Sequence, residues 1–133
     1  MTDAAHGFQE LGWLLDDLVA RVSAVRHAVA LTDEGLVAGA SGGLVREEAE
    51  HLAAIAYGMH ILAEGAGRRF RTGGVHYTVT EMEEGCLYVA SGAATVLAVL
   101  TDTQTERELI AYELSRLARR ASGRLHTSAA QGG

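Results

Sequence analysis

The sequence predicts an α+β domain in which three helices cover the two faces of a mainly antiparallel sheet. Three observations support this fold class. Three segments repeat apolar residues every three or four positions, as helices do, and five shorter segments alternate or run apolar, as strands do. Consecutive strand segments are separated by short turn sequences, which suits antiparallel pairing. With 133 residues, 48% of them hydrophobic and 21% charged, the chain has the size and composition of one globular domain.

The first half of the chain is predicted to form a helix, a β-hairpin and a second, longer helix. The first helix runs from Phe8 to Ser23, and its apolar stripe consists of Phe8, Leu11, Leu15, Leu18 and Val22. Val25 to Thr32 and Leu36 to Ala40 form the hairpin, and Gly35 provides the positive φ that its turn needs. One face of the first strand is predicted to carry Val25, His27, Val29 and Leu31. The middle helix runs from Val45 to Ala66.

The second half is predicted to form three strands and a final helix. The strands are Val75 to Glu81, Cys86 to Ala90 and Thr95 to Leu100, and the helix runs from Gln104 to Ser122. The last strand is an unbroken apolar run, so we expect it at the centre of the sheet, covered on both faces. If the first hairpin lies beyond that central strand, the strand from Val75 lies at the opposite edge.

Composition excludes several classes of function and indicates a cytoplasmic protein. Acidic residues outnumber basic ones 17 to 11, giving a net charge of −6, whereas a nucleic-acid binder needs the opposite sign. The longest mostly apolar stretch, Leu52 to Ala63, is too short to span a bilayer, and the N-terminus does not resemble a signal peptide. Cys86 is the only cysteine, which favours a reducing compartment. The domain is expected to span residues 8–122, with flexible tails at 1–7 and 123–133.

Residues with catalytic or metal-binding potential are present, but their spacing indicates no site. Glu47 with His51, and His60 with Glu64, each place two potential ligands on one helix face, which is too few for zinc. The absence of lysine excludes a phosphate-loop lysine and a Schiff base. Three arginines follow the middle helix: Arg68, Arg69 and Arg71. They either stabilise the C-terminus of that helix through its dipole or bind a phosphate or an acidic partner. We therefore expect no enzymatic activity, no cofactor and no metal.

The middle helix carries more apolar surface than one sheet can cover. One group is predicted to lie on the sheet: Leu52, Ile55, Met59 and Leu62. A second group of small residues is predicted to form a seam between two copies: Ala49, Ala53, Ala56 and Ala63, with His60 among them. A third group is predicted to bind another protein: Ala54, Tyr57 and Ile61, bordered by Glu50 and Glu64. The alternative is that alanine is simply the best helix former and that an exposed isoleucine needs no partner.

The predicted edge strand adds to the expectation of a dimer. The segment from Val75 to Glu81 has no lysine or proline to block pairing with another strand. Such an edge can pair with its twin across a two-fold axis, through Val75, Tyr77 and Val79. The alternative is a short, twisted edge that turns its polar side chains outward.

Four segments of the sequence resemble the roadblock family, which comprises dynein light chains and small-GTPase regulators. They are LTDEGLVAGASGG, EEAEHLAAIAYGMHILAEGAG, VHYTVTEMEEGCLYVASG and LIAYELSRLARR, which begin at Leu31, Glu47, Val75 and Leu109. Within that family, the chain resembles a bacterial branch that is encoded beside a Ras-like GTPase and a sensor-kinase-like protein. The resemblance covers Phe8 to Ser122 and lies in the overall pattern rather than in any single motif.

The resemblance implies a fold, an assembly and a role. The fold is the order α-β-β-α-β-β-β-α, with a five-stranded antiparallel sheet, the middle helix on one face and the outer two on the other. Family members form homodimers through antiparallel middle helices and paired third strands. Bacterial relatives bind a Ras-like GTPase across the dimer and speed its GTP hydrolysis by repositioning groups of the GTPase, without an arginine finger of their own. The partner-binding residues named above come from the helical wheel, since no family motif marks them.

Three functions remain open on the sequence alone. The first is a non-enzymatic homodimer that binds a Ras-like small GTPase, with a sensor-kinase-like protein as a further candidate partner, and modulates the nucleotide cycle. The second is a scaffold of the same fold that binds without changing turnover. The third is a small-molecule sensor, which would need a closed apolar cavity with convergent polar groups.

Overall fold

Three helices and five strands occur in the predicted order. In the computed structural model the backbone is described for residues 2–103 and 106–132, and the side chains for 10–103 and 106–121. The elements are α1 (Thr2–Arg21), β1 (Val25–Thr32), β2 (Val37–Ala40), α2 (Arg46–Arg69), β3 (Thr78–Met82), β4 (Gly85–Ser91), β5 (Thr95–Thr101) and α3 (Arg107–Gly132). None of the helices in the described residues is both long and apolar enough to cross a membrane.

The five strands form one antiparallel sheet in the order β2-β1-β5-β4-β3. The apolar run of β5 lies at the centre, as predicted, with Val99 beside Ala28 of β1 and Tyr88 of β4. β3 lies at the edge far from the first hairpin, also as predicted. The turn between β1 and β2 contains Gly35 at a φ of +90°, a conformation that glycine adopts without steric cost.

Side chains alternate between the two faces of the sheet and form two hydrophobic clusters. On one face α1 and α3 pack side by side, and their core residues are Leu11, Leu15, Leu18, Ile110, Leu114 and Leu117. On the other face α2 lies alone, and the sheet residues below it include Val29, Leu31, Leu87, Val89 and Val96. Arg21 links the two outer helices, since its guanidinium contacts Glu113 at 3.4 Å. A hydrogen bond from Arg21 to Asp17 raises the pKa of that guanidinium.

The prediction for the first strand is wrong at one position. Val25 was expected on the same face as Val29 and Leu31, but it packs in the cluster of α1 and α3. The pairing of β1 with β5 shifts between Val25 and His27. This irregularity adds one residue to β1, so every side chain before it changes face.

Element ends differ from the prediction at both termini and at β3. α1 begins at Thr2 and α3 continues to Gly132, so the structure is helical over much of the predicted flexible tails, 1–7 and 123–133. The sequence predicts tails there because those segments lack apolar periodicity. They contain no proline, however, so nothing in them ends the helices. The side chain of Phe8, predicted in the α1 stripe, lies outside the described residues. β3 begins at Thr78, three residues after the predicted start, because its pairing with β4 begins there, with Thr78 opposite Val89.

The last turn of α2 requires a glycine, which gives a first testable prediction. Gly67 is buried, and a Cβ atom there would overlap the backbone carbonyl oxygen of Gly73. We expect Gly67→Ala to lower the free energy of unfolding by about 1–3 kcal/mol, because backbone has to move. Gly65 has nothing within 4 Å of the position that a Cβ would take, so Gly65→Ala is the matched control. It should be neutral or stabilising by up to about 1 kcal/mol. Urea unfolding measures both, and equal effects would contradict this account.

Candidate partner-binding surface

The small residues of α2 face the sheet. Ala49, Ala53 and Ala56 are buried and contact the cluster around Leu31 and Leu87. The prediction that these alanines form a seam between two copies is therefore wrong. Their small side chains let the helix lie close to the sheet, which supplies the larger side chains of the interface. His60 and Ala63, the other members of the predicted seam, are half-buried.

The stripe predicted to lie on the sheet is divided between the flank and the outside of α2. Leu52 and Met59 are half-buried and pack at the edge of the cluster below the helix. Ile55 and Leu62 point outward, with 56% and 76% of their surface exposed. The helix is thus rotated about its axis relative to the prediction, and two large aliphatic side chains are left exposed by the residues that the structure describes.

The outward face of α2 is apolar along its middle. We define this face by five exposed residues: Ala54, Ile55, Gly58, Ile61 and Leu62. Gly58 has nothing within 4 Å of the position a Cβ would take, so the domain by itself does not require glycine there. Glycine within a helix costs about 1 kcal/mol relative to alanine, whereas it permits close approach of another backbone. This face has the properties of a docking surface.

Charged residues flank the outward face at both ends. Glu47 and Glu48 are exposed in the first turn, and Arg68 and Arg69 are exposed in the last turn. Within the described part of the chain, none of these four side chains makes an ion pair or a hydrogen bond. The arrangement stabilises the helix dipole and leaves an acidic and a basic end available to a partner.

The predicted partner-binding residues lie on two surfaces rather than one. Ala54 and Ile61 belong to the outward face. Glu50, Tyr57 and Glu64 lie on the flank of α2 that borders the β1–β2 turn, where Glu50 is exposed and the other two are half-buried. The Tyr57 ring covers Gly35 so closely that a Cβ there would lie 2.9 Å from it. The exposed side chain of Leu36 follows in the same turn. We call this the flank surface.

The predicted edge-strand residues are also divided. Val79 is half-buried and packs toward the cluster of α1 and α3. Val75 and Tyr77 precede β3 and take no part in its ladder. β3 pairs with β4 on one side only, and Glu81 forms an ion pair with Arg107 of α3. In the described residues, the outer edge of β3 has no strand beside it.

Two grooves on the described part of the surface are open rather than enclosed. A groove of about 650 Å³ is lined mainly by polar residues, including Arg26, Glu83, Glu84, Asp102 and Thr103, and Arg26 pairs with Asp102 across it. A second groove of about 420 Å³ lies at the end of α2, between Glu64, Arg68 and Arg71. Neither is the closed apolar cavity that a small-molecule sensor needs.

Chemically reactive side chains do not converge in the described residues. No group of three or more His, Cys, Asp and Glu residues is placed to hold a metal ion there. Cys86 is buried on β4. Among the side chains that the structure describes, two buried polar atoms lack a hydrogen-bond partner, Nδ1 of His27 and the hydroxyl of Tyr88, and they lie on different strands of the sheet.

Comparisons with known proteins agree on the fold. The family model described as Roadblock/LC7 domain matches residues 11–101. A Roadblock/LC7 domain from Streptomyces avermitilis is 35% identical and superposes with a TM-score of 0.80, over 86% of this chain and 97% of that chain. MglB of Myxococcus xanthus is 16% identical, with a TM-score of 0.77 over 91% of each chain.

A second MglB structure, the gliding protein of Thermus thermophilus, is also 16% identical, with a TM-score of 0.71 over 88% of this chain and 91% of that chain. Likeness to MglB at such low identity concerns the fold alone. Another MglB structure similar to this chain is described as having a tetrameric arrangement. No curated protein matches the sequence.

Proposed function

The chain belongs to the Roadblock/LC7 domain family, and from that we propose that it is a non-enzymatic homodimeric regulator of a Ras-like small GTPase. In this role it binds the GTPase and modulates its nucleotide cycle within a bacterial signalling complex. Because a fold alone does not determine function, the proposal needs a surface on this chain that can carry it. The outward face of α2 is the observation that carries it.

The outward face supports the dimer part of the proposal. Ile55, Ile61 and Leu62 expose aliphatic surface in one patch, on the only helix that covers its side of the sheet in the described residues. A second copy would remove this patch from water by placing the same face against it, as an isologous two-fold interface does. The dimer interface is thus moved from the alanine seam to the outward face. Because the outward face points away from the sheet, this dimer keeps the two β3 edges apart, and strand pairing through β3 is an alternative dimer rather than part of it.

The flank surface supports the GTPase part of the proposal. If the outward faces pair, Ala54 and Ile61 are covered, whereas Glu50, Tyr57 and Glu64 remain at the rim of the dimer. Tyrosine is enriched among the residues that dominate protein interfaces, and Tyr57 is held in place by its contact with Gly35. Leu36 adds exposed apolar area beside it. A GTPase bound across the dimer would contact this rim.

The test is to add the protein to a Ras-like GTPase, starting with one encoded beside its gene, and to measure GTP hydrolysis and nucleotide exchange. We expect a change in one of these rates that saturates with concentration. The double variant Glu50→Arg/Glu64→Arg should bind about tenfold more weakly, because rim charges tune association. Glu83→Arg/Glu84→Arg, the same charge change on the distant β3–β4 turn, should behave as wild type.

Each outcome of this test selects one function. A rate change that the flank variant weakens supports the regulator. Stable binding without any rate change selects the scaffold of the same fold. Absence of both binding and rate change at high micromolar concentration would contradict the proposal for that GTPase family.

A further inference from the structure

We propose that the end of α2 is a peripheral binding site for membranes that contain anionic lipid. The site consists of Arg68, Arg69, Phe70 and Arg71, which we call the basic tip. Its ligand is a surface of phosphate-bearing headgroups that lies over apolar acyl chains. The inference goes beyond the proposed regulation of a GTPase, and it does not depend on the dimer because each chain carries a complete basic tip.

The basic tip has the opposite charge to the rest of the chain. The segment between Glu64 and Glu81 contains three arginines and no acidic residue. The whole chain has 11 basic and 17 acidic residues, so 8 basic residues remain outside this segment and give the remainder a net charge of −9. An anionic surface therefore attracts this end of the protein and repels the rest, which orients the protein on the surface.

The side chains of the basic tip are exposed and carry unpaired charge. Phe70 is 72% exposed, and the three arginines around it are exposed as well. Among the residues that the structure describes, none of these arginines makes an ion pair or a hydrogen bond. An aromatic ring between unpaired arginines suits a membrane surface, because the ring can enter the boundary between headgroups and acyl chains while the guanidinium groups bind phosphates.

The backbone holds Arg71 in a conformation that favours glycine. α2 ends at Arg69, and the amide of Thr72 donates a hydrogen bond of 3.0 Å to the carbonyl oxygen of Gly67, as at the end of many helices. The residue before that amide has a positive φ in this motif and is usually glycine. Here it is Arg71, with a φ of +58°. An arginine at a position that is costly for its backbone indicates that its side chain serves a purpose outside the fold.

The surroundings of the basic tip favour a surface over a small anion as the ligand. The open groove of about 420 Å³ beside it is lined by Glu64 as well as by Arg68 and Arg71, and that carboxylate repels an anion within the groove. A headgroup layer contacts the tip from outside the groove. An acidic protein segment would pair with the arginines, but it would cover Phe70 only if it also had a matching apolar pocket, whereas a bilayer offers apolar chains everywhere.

The helix dipole offers a competing explanation for two of the arginines. Arg68 and Arg69 lie in the last turn of α2, where positive charge stabilises the helix. This explanation does not account for an arginine at the unfavourable φ of residue 71 or for the exposed ring of Phe70. It predicts that removal of the charges changes the stability of the fold and leaves lipid binding unchanged.

The test is sedimentation of the full chain with lipid vesicles in buffer of low ionic strength. We expect the protein to bind vesicles of equal parts phosphatidylglycerol and phosphatidylcholine. Vesicles of phosphatidylcholine alone should bind it at least about tenfold more weakly, because they lack net negative charge. About 1 M salt should remove most of this difference.

Two charge variants locate the binding site on the chain. Arg68→Gln/Arg69→Gln should bind the anionic vesicles about 25-fold more weakly, because each arginine near an anionic surface contributes about fivefold. The matched control is Arg119→Gln/Arg120→Gln on α3, where both side chains are exposed. It removes the same charge from the chain and should bind as wild type does.

Arg71→Gly separates a role in lipid binding from a role in the fold. Glycine suits the positive φ at this position, so the variant should melt at the same temperature as wild type or a few degrees higher. It should nevertheless bind anionic vesicles about fivefold more weakly. A loss of stability without a loss of lipid binding would show that Arg71 serves the fold alone.

Phe70 tests whether the ring reaches the acyl chains. Phe70→Ser should bind about tenfold more weakly, whereas Tyr112→Ser, which changes an aromatic residue that is 61% exposed on α3, should bind as wild type does. Trp13 is the only tryptophan. In a Trp13→Phe background, the fluorescence of Phe70→Trp should shift to the blue on anionic vesicles and be quenched by brominated acyl chains.

Three outcomes would overturn the inference. The first is equal binding to anionic and neutral vesicles, or no binding to either. The second is equal loss of binding in the basic-tip variants and in their matched controls. The third is a different ligand for the same residues: displacement from vesicles by millimolar inorganic phosphate at matched ionic strength would indicate a small-anion site, and binding of poly-glutamate without binding of vesicles would indicate an acidic protein partner.

Discussion

Ala56→Arg is expected to unfold the domain rather than separate two copies of it. Ala56 is 0% exposed and lies between α2 and the sheet, in contact with the cluster that contains Val29 and Leu31. A guanidinium there has no partner in the apolar layer, and its volume cannot be accommodated without moving the helix. Burying an unpaired charge costs several kcal/mol, and overpacking adds about 1–3 kcal/mol. Domains of this size have about 5–15 kcal/mol of stability in total.

Ala54→Arg is the matched control for this prediction. It makes the same substitution two residues earlier, on the exposed side of the same helix. We expect Ala54→Arg to be soluble with a wild-type circular dichroism spectrum, and Ala56→Arg to be insoluble or to melt far below wild type. A folded, stable Ala56→Arg protein would show that the alanines do not face the sheet, and would return them to the candidate dimer seam.

Leu62→Arg is expected to abolish self-association while leaving the fold intact. Leu62 is 76% exposed, so a charge there should change the unfolding free energy of the single chain by less than about 0.5 kcal/mol. In the dimer the substitution occurs twice. Loss of two buried leucines at about 2 kcal/mol each weakens the dimer by about 4 kcal/mol, which is about a thousandfold in Kd. Sedimentation equilibrium measures this shift directly.

Leu36→Arg provides the comparison at similar exposure. Leu36 is 64% exposed but lies in the β1–β2 turn, outside the outward face of α2. It should leave the dimer unchanged, and it should weaken GTPase binding if the flank surface is the contact. Equal loss of self-association in both variants would indicate that exposed leucines promote nonspecific association instead of a defined interface.

The order of elements could be predicted from the sequence because local signals are strong. The unbroken apolar run in β5 requires cover on both faces, and that requirement places the strand at the centre of the sheet. Once β5 is central, the two hairpins lie on either side of it and β3 falls at the edge. These predictions use the spacing of apolar residues and the residue types found in turns. Neither depends on contacts between residues that are far apart in the sequence.

The rotation of α2 could not be predicted in the same way. Three sides of this helix are apolar, so the wheel by itself does not say which of them meets the sheet. The sequence favours placing the largest side chains on the sheet, because they gain the most from burial, but sheet residues such as Leu87 already fill that layer. Ala53 and Ala56 fit above them where Ile55 and Leu62 do not. The choice depends on volumes contributed by residues far apart in sequence.

The candidate site, like the fold, could be predicted from the sequence only in part. The sequence identified α2 as the helix with excess apolar surface, and the structure leaves that surface exposed at Ile55, Ile61 and Leu62. The residues that line this surface could be identified only from the rotation of α2 in the structure. Gly58 carried a signal that could have been used: a glycine in mid-helix is costly unless something approaches closely, and nothing within the described part of this chain does.

The molar mass of the wild-type protein in solution tests the central claim most directly. Sedimentation equilibrium over nanomolar to high micromolar concentrations should show a single reversible transition from 14.0 kDa to about twice that mass. Such a result would agree with a second copy covering the exposed aliphatic patch of α2. A mass of 14.0 kDa at every concentration would mean that this patch stays open to water, and would contradict the account.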